Sequence, residues 1–510
     1  MAKKREERED RKKKTGNSIC DLDDGFVAPG FSFRNLSFAS VKNILIHSRY
    51  VQILLSLTII GAILRFVNLG FNSLWLDEAS TYQFAIKSIP AIWQATTGGE
   101  FNPPLFYWIE HFMLMFGNNE VVLRFVPALA GILTIPLIYL IGKEFVDRNV
   151  GIIAAAICTI SPFLLFYSQE ARAYSLGLFF IAFAMVFFLK AMKTNELSSW
   201  LLFGVLSALA LWAHFYTIVV TGSLLLYALI VKIPDLRKDI REIKYLVAAG
   251  VVFVVVSLPL LFVALQLFTS RTTGGPSFGL QGADVIITTF QQLSGFSAMV
   301  MFLFLLLFVV GVMQAFHLDR NKGIFLVALM VLPFAISWFL SYKIPMVPRY
   351  LIILVPVYFI GIALAYKPVY GLISNRGVVY GFIALLVLLS VTTPFFSSYY
   401  TSYSKEDWRG FAGQVRQAAQ PGDAIVFVPG YISQPFDYYY SNATEETFEY
   451  GASSAEQLAA VAGSNVNNTV FYVVTGDISS ADPSGDSIAW LQEHAKGAQV
   501  TSGIYLFTNS

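Results

Sequence analysis

From about residue 48 to residue 396 the chain repeats one pattern, a long apolar run closed by a short polar cluster. Windows long enough to cross roughly 30 Å of hydrocarbon fall at 48–67, 121–142, 150–166, 174–191, 199–213, 215–232, 245–268, 298–316, 324–341, 350–366 and 378–396. They predict about eleven transmembrane helices over residues 45–397. PLFYWIEHFMLMFG (104–117) is apolar too, but it is short and carries Glu110 and His111. It reads as a helix lying in the membrane interface. After residue 397 the period becomes that of soluble elements. KEDWRGFAGQVRQAAQ repeats Trp408, Phe411, Val415 and Ala418 at helical spacing, AIVFVP and NTVFYVVTG read as buried strands, and SIAWLQEHAKG reads as a helix closed by Gly497. The alternation predicts a small α/β domain over 398–510, and no 20–50-residue repeat interrupts the pattern.

Charge orients this arrangement. The basic N-terminus MAKKREEREDRKKK runs on through polar sequence without an apolar core or small-residue cleavage site, so residues 1–44 read as a retained cytoplasmic tail. With that tail inside, the inner connections are KEFVDRN, KTNE, KIPDLRKDIREIK, HLDRNKG and YKPVYGLISNRG, most of them basic as the positive-inside rule requires. A full span at 104–117 would invert every later loop and export KIPDLRKDIREIK, which favours the interfacial assignment. The outer connections are then 68–120, SQEARAY, AHFYT, 269–297 and SYKIPMVPR, with the C-terminal domain extracytoplasmic.

Composition narrows the class. The chain is 56% hydrophobic and 13% charged, against about 25% charged in ordinary soluble domains, and its mean hydropathy is +0.61. This describes a multi-pass protein of the cell membrane whose surroundings are the lipid bilayer. A net charge of +2 with scattered basic residues leaves no stripe for nucleic acid. Cys20 and Cys158 cannot staple an exported domain or build a cysteine zinc site. The sequons at Asn442 and Asn467 are of a kind that recurs by chance.

The topology gathers the unusual polar residues on the outer side. SLWLDEASTY (73–82) carries Asp77 and Glu78 in the first outer loop, and Arg124 opens the second span. Glu170 and Arg172 share the next outer loop, His214 sits at an outer turn, and Lys343 and Arg349 lie in the last loop. Arg271 lies in TSRTTGGPSFG, whose glycines suit either a free surface loop or one that closes over a donor. Any one cation could be a snorkelling anchor, and Trp75, Tyr82, Trp93 and Tyr107 could form an interfacial aromatic belt. Together they suit a reaction in which a hydroxyl loses a proton while a phosphate departs. A carboxylate flanked by Trp75, Leu76 and Ala79 gains basicity by desolvation, and the cations can hold the phosphate as its charge grows.

The order LWLDEA, FNPPLFYW, FGNNEVVLRF, YSQEARAYSL, a histidine closing a span and PRYLIILVP resembles the membrane glycosyltransferases with the C-type fold. Within them it is most similar to the clan of dolichyl-phosphate-mannose protein mannosyltransferases and bacterial aminoarabinose transferases, over roughly residues 45–400. The resemblance implies roles position by position. Asp77, with Glu78 beside it, matches the base for the acceptor hydroxyl, and Glu170 matches the second-loop acid. Arg124 matches the arginine after the interfacial helices. His214 stands where the aminoarabinose branch often has lysine, and Arg349 with Tyr350 matches a contact for the lipid phosphate. Asn102 with Pro103 and Pro104 fits the motif written with histidine or asparagine before prolines. Arg172, His214, Arg271, Arg349 and Tyr350 are thus expected at the donor phosphate, with Trp75, Tyr82, Asn102, Arg124, Tyr174 and Lys343 in support. The tail does not resemble the β-trefoil of eukaryotic protein mannosyltransferases, so the acceptor stays open among lipid, glycan and protein.

The expected activity is inverting transfer of a sugar from a polyprenyl-phosphate carrier to an acceptor hydroxyl, with Asp77 as base and no metal, although Asp77, Glu78 and Glu170 could offer hard oxygen ligands to a divalent ion. A transporter or flippase for a lipid-linked saccharide is the alternative; it would place ionisable groups near the midplane, often with inverted repeats. A non-catalytic sensor with an exported ligand domain is a third.

Overall fold

The computed structural model describes residues 48–509 apart from 99, 101, 237–242, 273–274, 277, 376 and 441–446. The basic tail expected over 1–44 and the sequon at Asn442 lie outside the described residues. All eleven apolar windows coincide with helical segments: Arg49–Phe66, Glu120–Phe145, Arg148–Ile160 continued by Pro162–Ser168, Tyr174–Thr194, Leu197–Ala213, Thr217–Leu236, Lys244–Arg271, Ala298–Leu318, Arg320–Leu340, Pro348–Ile373 and Gly377–Val391. Among the described residues seven helices are long and apolar enough to span alone, and Arg148–Ile160 with Pro162–Ser168, bent by 57°, makes an eighth. Leu197–Ala213, Thr217–Ile233 and Gly377–Val391 are shorter. The bend falls at Pro162, which has no N–H to continue the ladder, and Ser161 caps the new helix through the Leu164 N–H. The chain is a polytopic helical membrane protein.

Burial ranks the spans. Tyr174–Thr194 and Pro348–Ile373 are 67% and 83% buried, whereas Arg49–Phe66 is 17% buried and keeps most of its apolar surface for lipid. Small residues let the second and third spans touch. A Cβ added at Gly142 would stand 2.6 Å from the Gly151 Cα, so side chains there would force the backbones apart. Arg65, fully buried, donates to the carbonyls of Gly61, Cys158 and Thr159 and to Ser168 Oγ, which ties the first span to the bent one.

The first connection is mostly helical. SLWLDEASTY runs into the helix Leu76–Ala85, with Asp77 and Glu78 in its first turn, where the helix dipole favours negative charge. Ile89–Thr97 and Pro104–Met113 follow. Pro104–Met113 buries Phe106, Tyr107 and Glu110 and leads to Met115 and Phe116, which are 75% and 74% exposed. The 269–297 connection, read as a loop, contains the helix Ala283–Leu293. The connection after Arg320–Leu340, expected on the outer side, enters the next window through a 3-10 turn, Pro348–Leu354, that carries Arg349 and Tyr350.

Residues after 400 form a five-stranded sheet of order β2-β1-β3-β5-β4, with β1 Ala424–Val428, β2 Phe448–Gly451, β3 Val470–Thr475, β4 Lys496–Thr501 and β5 Ile504–Thr508. β1 pairs parallel with β2 and β3, and the β4–β5 hairpin runs antiparallel to β3. Trp408–Ala418 and Ser433–Tyr440 cover one face, while Leu458 and Leu491, from helices Ala455–Ser464 and Asp486–His494, pack on the other. Gly497 is not the helix cap expected of it. Asp486–His494 ends at Ala495, and Gly497 lies in β4, where a Cβ would meet the Phe507 ring at 2.4 Å. The domain is clamped onto the first connection. Arg409 pairs with Glu120 at 2.6 Å, Ser73 donates to Asp407 at 3.1 Å, and the Tyr439 hydroxyl donates to Glu120 and accepts the Leu74 N–H.

Candidate active site

Glu78 and Arg124 form the frame. Both are buried, and all the guanidinium nitrogens of Arg124 are used: Nε and Nη2 donate to Glu78 at 2.7 Å each, and Nη1 and Nη2 donate to the carbonyls of Leu69, Asn72 and Ser73. Glu78 also accepts the Ala171 N–H at 2.8 Å and Lys405 Nζ at 3.1 Å. Burial alone would raise its carboxyl. Arg124, Lys405 and the hydrogen bonds outweigh burial and hold it at about 2. The pair fastens the first connection, the 169–173 turn and the start of the terminal domain to one another.

Asp77, one residue earlier, faces the other way. Its side chain is 24% exposed, with Oδ2 lying 3.2 Å from Arg349 Nη2 and 4.0 Å from Arg172 Nε. Arg172 also donates to the Asp77 carbonyl at 3.1 Å, so it holds the backbone as well as the charge. The Arg349 guanidinium lies over Trp75 at 5.5 Å and Tyr174 at 5.8 Å, within cation–π range.

Two cavities flank this ion pair. One, of about 290 Å³, is lined by Trp75, Glu170, Gln292, Arg349 and Ser404–Glu406, with Phe166, Tyr167 and Phe296 beside them. Four of its lining residues each carry a buried polar atom with no partner among the described residues: Trp75 Nε1, Glu170 Oε1, Gln292 Oε1 and Arg349 Nε. Unsatisfied buried groups are costly, so their convergence marks a place where a polar molecule belongs. Burial raises the Glu170 carboxyl, Lys405 and Arg349 oppose that rise, and Glu78 and Asp77 add to it. The other cavity, of about 220 Å³, is lined mostly by apolar side chains such as Phe215, Val219, Leu267 and Phe268, and meets the ion pair at His214, Tyr350 and Asn102.

His214 is buried, and Nδ1 accepts the Tyr216 N–H at 3.3 Å, which leaves Nε2 to donate. Burial first, then Arg172 and Arg349, drives its pKa down to about 3. It is therefore a neutral donor rather than the cation expected at that position. Tyr350 stacks on Tyr216 at 4.9 Å, with His214 and Tyr174 rings nearby. Asn102 donates to Glu100 at 3.1 Å, and Tyr107 donates to the same oxygen at 2.8 Å. Tyr82 lines neither cavity; its ring meets Tyr438 edge-on at 4.9 Å, on the contact with the terminal domain. Lys343 is exposed and makes no ion pair among the described residues. The side chain of Arg271 lies outside the described residues.

Lys405, Glu406 and Gln292 are site residues that the sequence pattern does not single out. KEDWR reads as the start of an amphipathic helix, and only its run of charges directly after the last span hints at another use. Among the described residues no group of three His, Cys, Asp or Glu side chains is arranged to hold a metal ion; Asp77 pairs with Arg349, and Glu78 with Arg124 and Lys405.

The fold and this site invite comparison with known membrane proteins. Residues 102–262 match the family model for dolichyl-phosphate-mannose-protein mannosyltransferase. ArnT from Cupriavidus metallidurans in the apo state superposes with a TM-score of 0.58 at 13% identity, covering 92% of this chain and 98% of that one. The same protein bound to undecaprenyl phosphate gives 0.56 at 12% identity, covering 89% and 98%. The archaeal oligosaccharyltransferase AglB from Archaeoglobus fulgidus, in complex with an inhibitory peptide and a dolichol-phosphate, gives 0.52 at 13% identity, covering 91% and 75%. An uncharacterized protein of Aquifex aeolicus (strain VF5) is 27% identical over 200 residues, a match that spans 38% of this chain and 40% of that relative. The resemblance drawn from the motif order is borne out: the chain has the C-type fold of these membrane proteins.

Proposed function

We propose that the protein transfers a sugar from a polyprenyl-phosphate carrier to an acceptor hydroxyl on the extracytoplasmic face, with inversion, and that Asp77 is the general base. One observation carries this: Arg349, the partner of Asp77, lines the polar cavity, and the next residue, Tyr350, lines the apolar groove. An isoprenoid chain suits the groove, and a phosphate at its mouth meets Arg349, Arg172 and the donor Nε2 of His214. A sugar suits the polar cavity.

The incoming phosphate competes with Asp77 for the two arginines and frees the carboxylate. The acceptor O–H gives its proton to Asp77, its oxygen bonds to the anomeric carbon opposite the phosphate, and the carbon–phosphate oxygen bond breaks with its electrons leaving on the phosphate. Arg349 and Arg172 hold the charge that develops there, so the leaving group needs no proton. Glu78 acts as a positioning residue, because its oxygens are already committed to Arg124, Lys405 and Ala171.

The test is release of polyprenyl phosphate from a polyprenyl-phosphate-mannose donor by the purified protein in nanodiscs, with membrane extract as acceptor source. Asp77→Asn and Arg349→Ala are expected to abolish release. Unchanged release in both variants refutes the assignment.

A further inference from the structure

The motifs of the sequence account for Trp75, Glu170 and Arg349 in the polar cavity, but not for Gln292 or Phe296. These two come from the end of the helix Ala283–Leu293 and the turn that follows it.

That segment is fixed at both ends. Before the helix, the Leu280 N–H donates to the Met346 carbonyl at 2.8 Å and the Gly282 N–H donates to Ser341 Oγ at 2.9 Å. Within it, Val285, Thr289 and Leu293 are buried, and the Phe290 ring meets Phe334 at 4.8 Å. After it, Ser294 Oγ and the Tyr358 hydroxyl share a buried hydrogen bond of 2.9 Å. Gly295 (φ +84°) and Phe296 (φ +63°) then turn the chain through left-handed conformations, and the Phe296 N–H closes the turn on the Gln291 carbonyl at 2.9 Å. A phenylalanine seldom adopts such a backbone, which persists only where its surroundings over-determine it. Gln292 and Phe296 are thereby held together on the cavity lining.

The glutamine is positioned but not used. Its Oε1 is buried with no partner among the described residues, a costly arrangement that an apolar side chain of similar size would avoid. Glu170, only 1% exposed, carries an unpartnered Oε1 on the same lining, and Trp75 Nε1 and Arg349 Nε are unpartnered donors there. A hydroxyl donates and accepts, so a polyol satisfies both kinds of group. The glutamine amide also offers both, and reads a hydroxyl whichever way round it sits.

We infer that Gln292 hydrogen-bonds a hydroxyl of the donor's sugar and is a specificity-determining residue, selecting sugars that keep a hydroxyl at that ring position. This rests on the glycosyl-transfer reading and adds to it a group that chooses among sugars.

In the experiment, a fluorescent polyprenyl phosphate bound to the full-length protein in nanodiscs is displaced by bare polyprenyl phosphate and by mannosyl, glucosyl and arabinosyl donors on the same lipid. The monodeoxy counterparts of whichever donor binds best are then compared with it. At least one of them is expected to bind about three- to tenfold more weakly than the complete sugar. Gln292→Leu should weaken the complete donor by a similar factor, leave bare polyprenyl phosphate unchanged, and abolish the difference between the complete donor and that deoxy donor. If Gln292→Leu binds the best donor as tightly as the unaltered protein does, if it loses all ligands alike, or if every deoxy penalty survives in it, the assignment of Gln292 is overturned while the transferase reading stands. If no sugar donor displaces the probe, or displacement is indifferent to Arg349→Ala, the transferase reading itself falls and takes this inference with it. Should Gln292→Leu fail to fold, Gln292→Asn, which keeps the amide but draws it back from the sugar, carries the same comparison.

Discussion

Asp77 and Arg349 meet at 3.2 Å although 272 positions separate them in the chain. One comes from the first turn of a short helix in the first connection, the other from the 3-10 turn that opens the tenth apolar window. Their contact makes the proposed base and the arginine proposed to bind phosphate parts of one ion pair. Asp77→Asn should lower transfer by about 10²–10⁴-fold. The melting temperature should hardly move, because Asp77 is partly exposed and the buried frame is left intact. Sugar-transfer rates and thermal unfolding of the same preparation check this.

Arg349→Lys is expected to weaken polyprenyl-phosphate binding by roughly tenfold or more, even though charge is kept. A lysine cannot span from Asp77 to the faces of Trp75 and Tyr174 as the planar guanidinium does. Binding of undecaprenyl phosphate, followed by native mass spectrometry, reads the loss.

Breaking the Glu78–Arg124 frame should cost stability before chemistry. Arg124→Ala leaves a buried carboxylate short of its main partner and is expected to destabilise by about 3–5 kcal/mol. The linkage has a definite sign. The folded-state pKa of Glu78, about 2, is below the ordinary value of 4.5, so the stabilisation is present above pH 4.5 and is lost as pH falls toward 2. Unfolding midpoints measured from pH 7 down to pH 3 should fall for the parent protein and change less for Glu78→Gln.

Glu110 gives the opposite sign. Both its oxygens are buried on the helix Pro104–Met113 without a partner among the described residues, and burial raises its carboxyl well above the ordinary range. Its stabilisation is complete below pH 4.5 and is lost as pH rises through the elevated folded-state value. Glu110→Gln should therefore raise the melting temperature at pH 8 and leave it nearly unchanged at pH 4. A destabilised variant at pH 8 would contradict this.

His214 should contribute no step to the pH profile of donor binding between pH 5 and 8, since its pKa lies near 3. His214→Gln, which can still donate a hydrogen bond, should bind donor within about threefold of the parent, whereas His214→Leu should lose more. A profile that loses a step near pH 6.5 on substitution would refute the neutral assignment.

Much of the membrane architecture is legible in the sequence because hydrocarbon thickness imposes a length on every span and lysines and arginines impose a side. The helical windows follow from the first of these constraints. The helix Ala283–Leu293 is hidden because a short polar-to-apolar stretch after glycines looks like loop. Arg124 and Glu78 look from spacing like two more members of a catalytic set; only the five hydrogen bonds of Arg124 reveal a strut. Lys405 is harder still. Periodicity assigns KEDWR to the terminal domain, and no local rule says that the lysine turns back toward Glu78. Such contacts are set by how the domain docks, through Arg409 on Glu120 and Tyr439 on Leu74.

Lys405 follows Glu78 by 327 residues, so the ribosome makes the acid long before the cation that completes its surroundings. Until residue 405 has been made and docked, the pocket around Glu78 has one cation instead of two and the polar cavity lacks the wall of Ser404–Glu406. A nascent or truncated chain thus lacks the wall that encloses this cavity. The order of synthesis itself makes closure of the cavity a late event, dependent on the terminal domain.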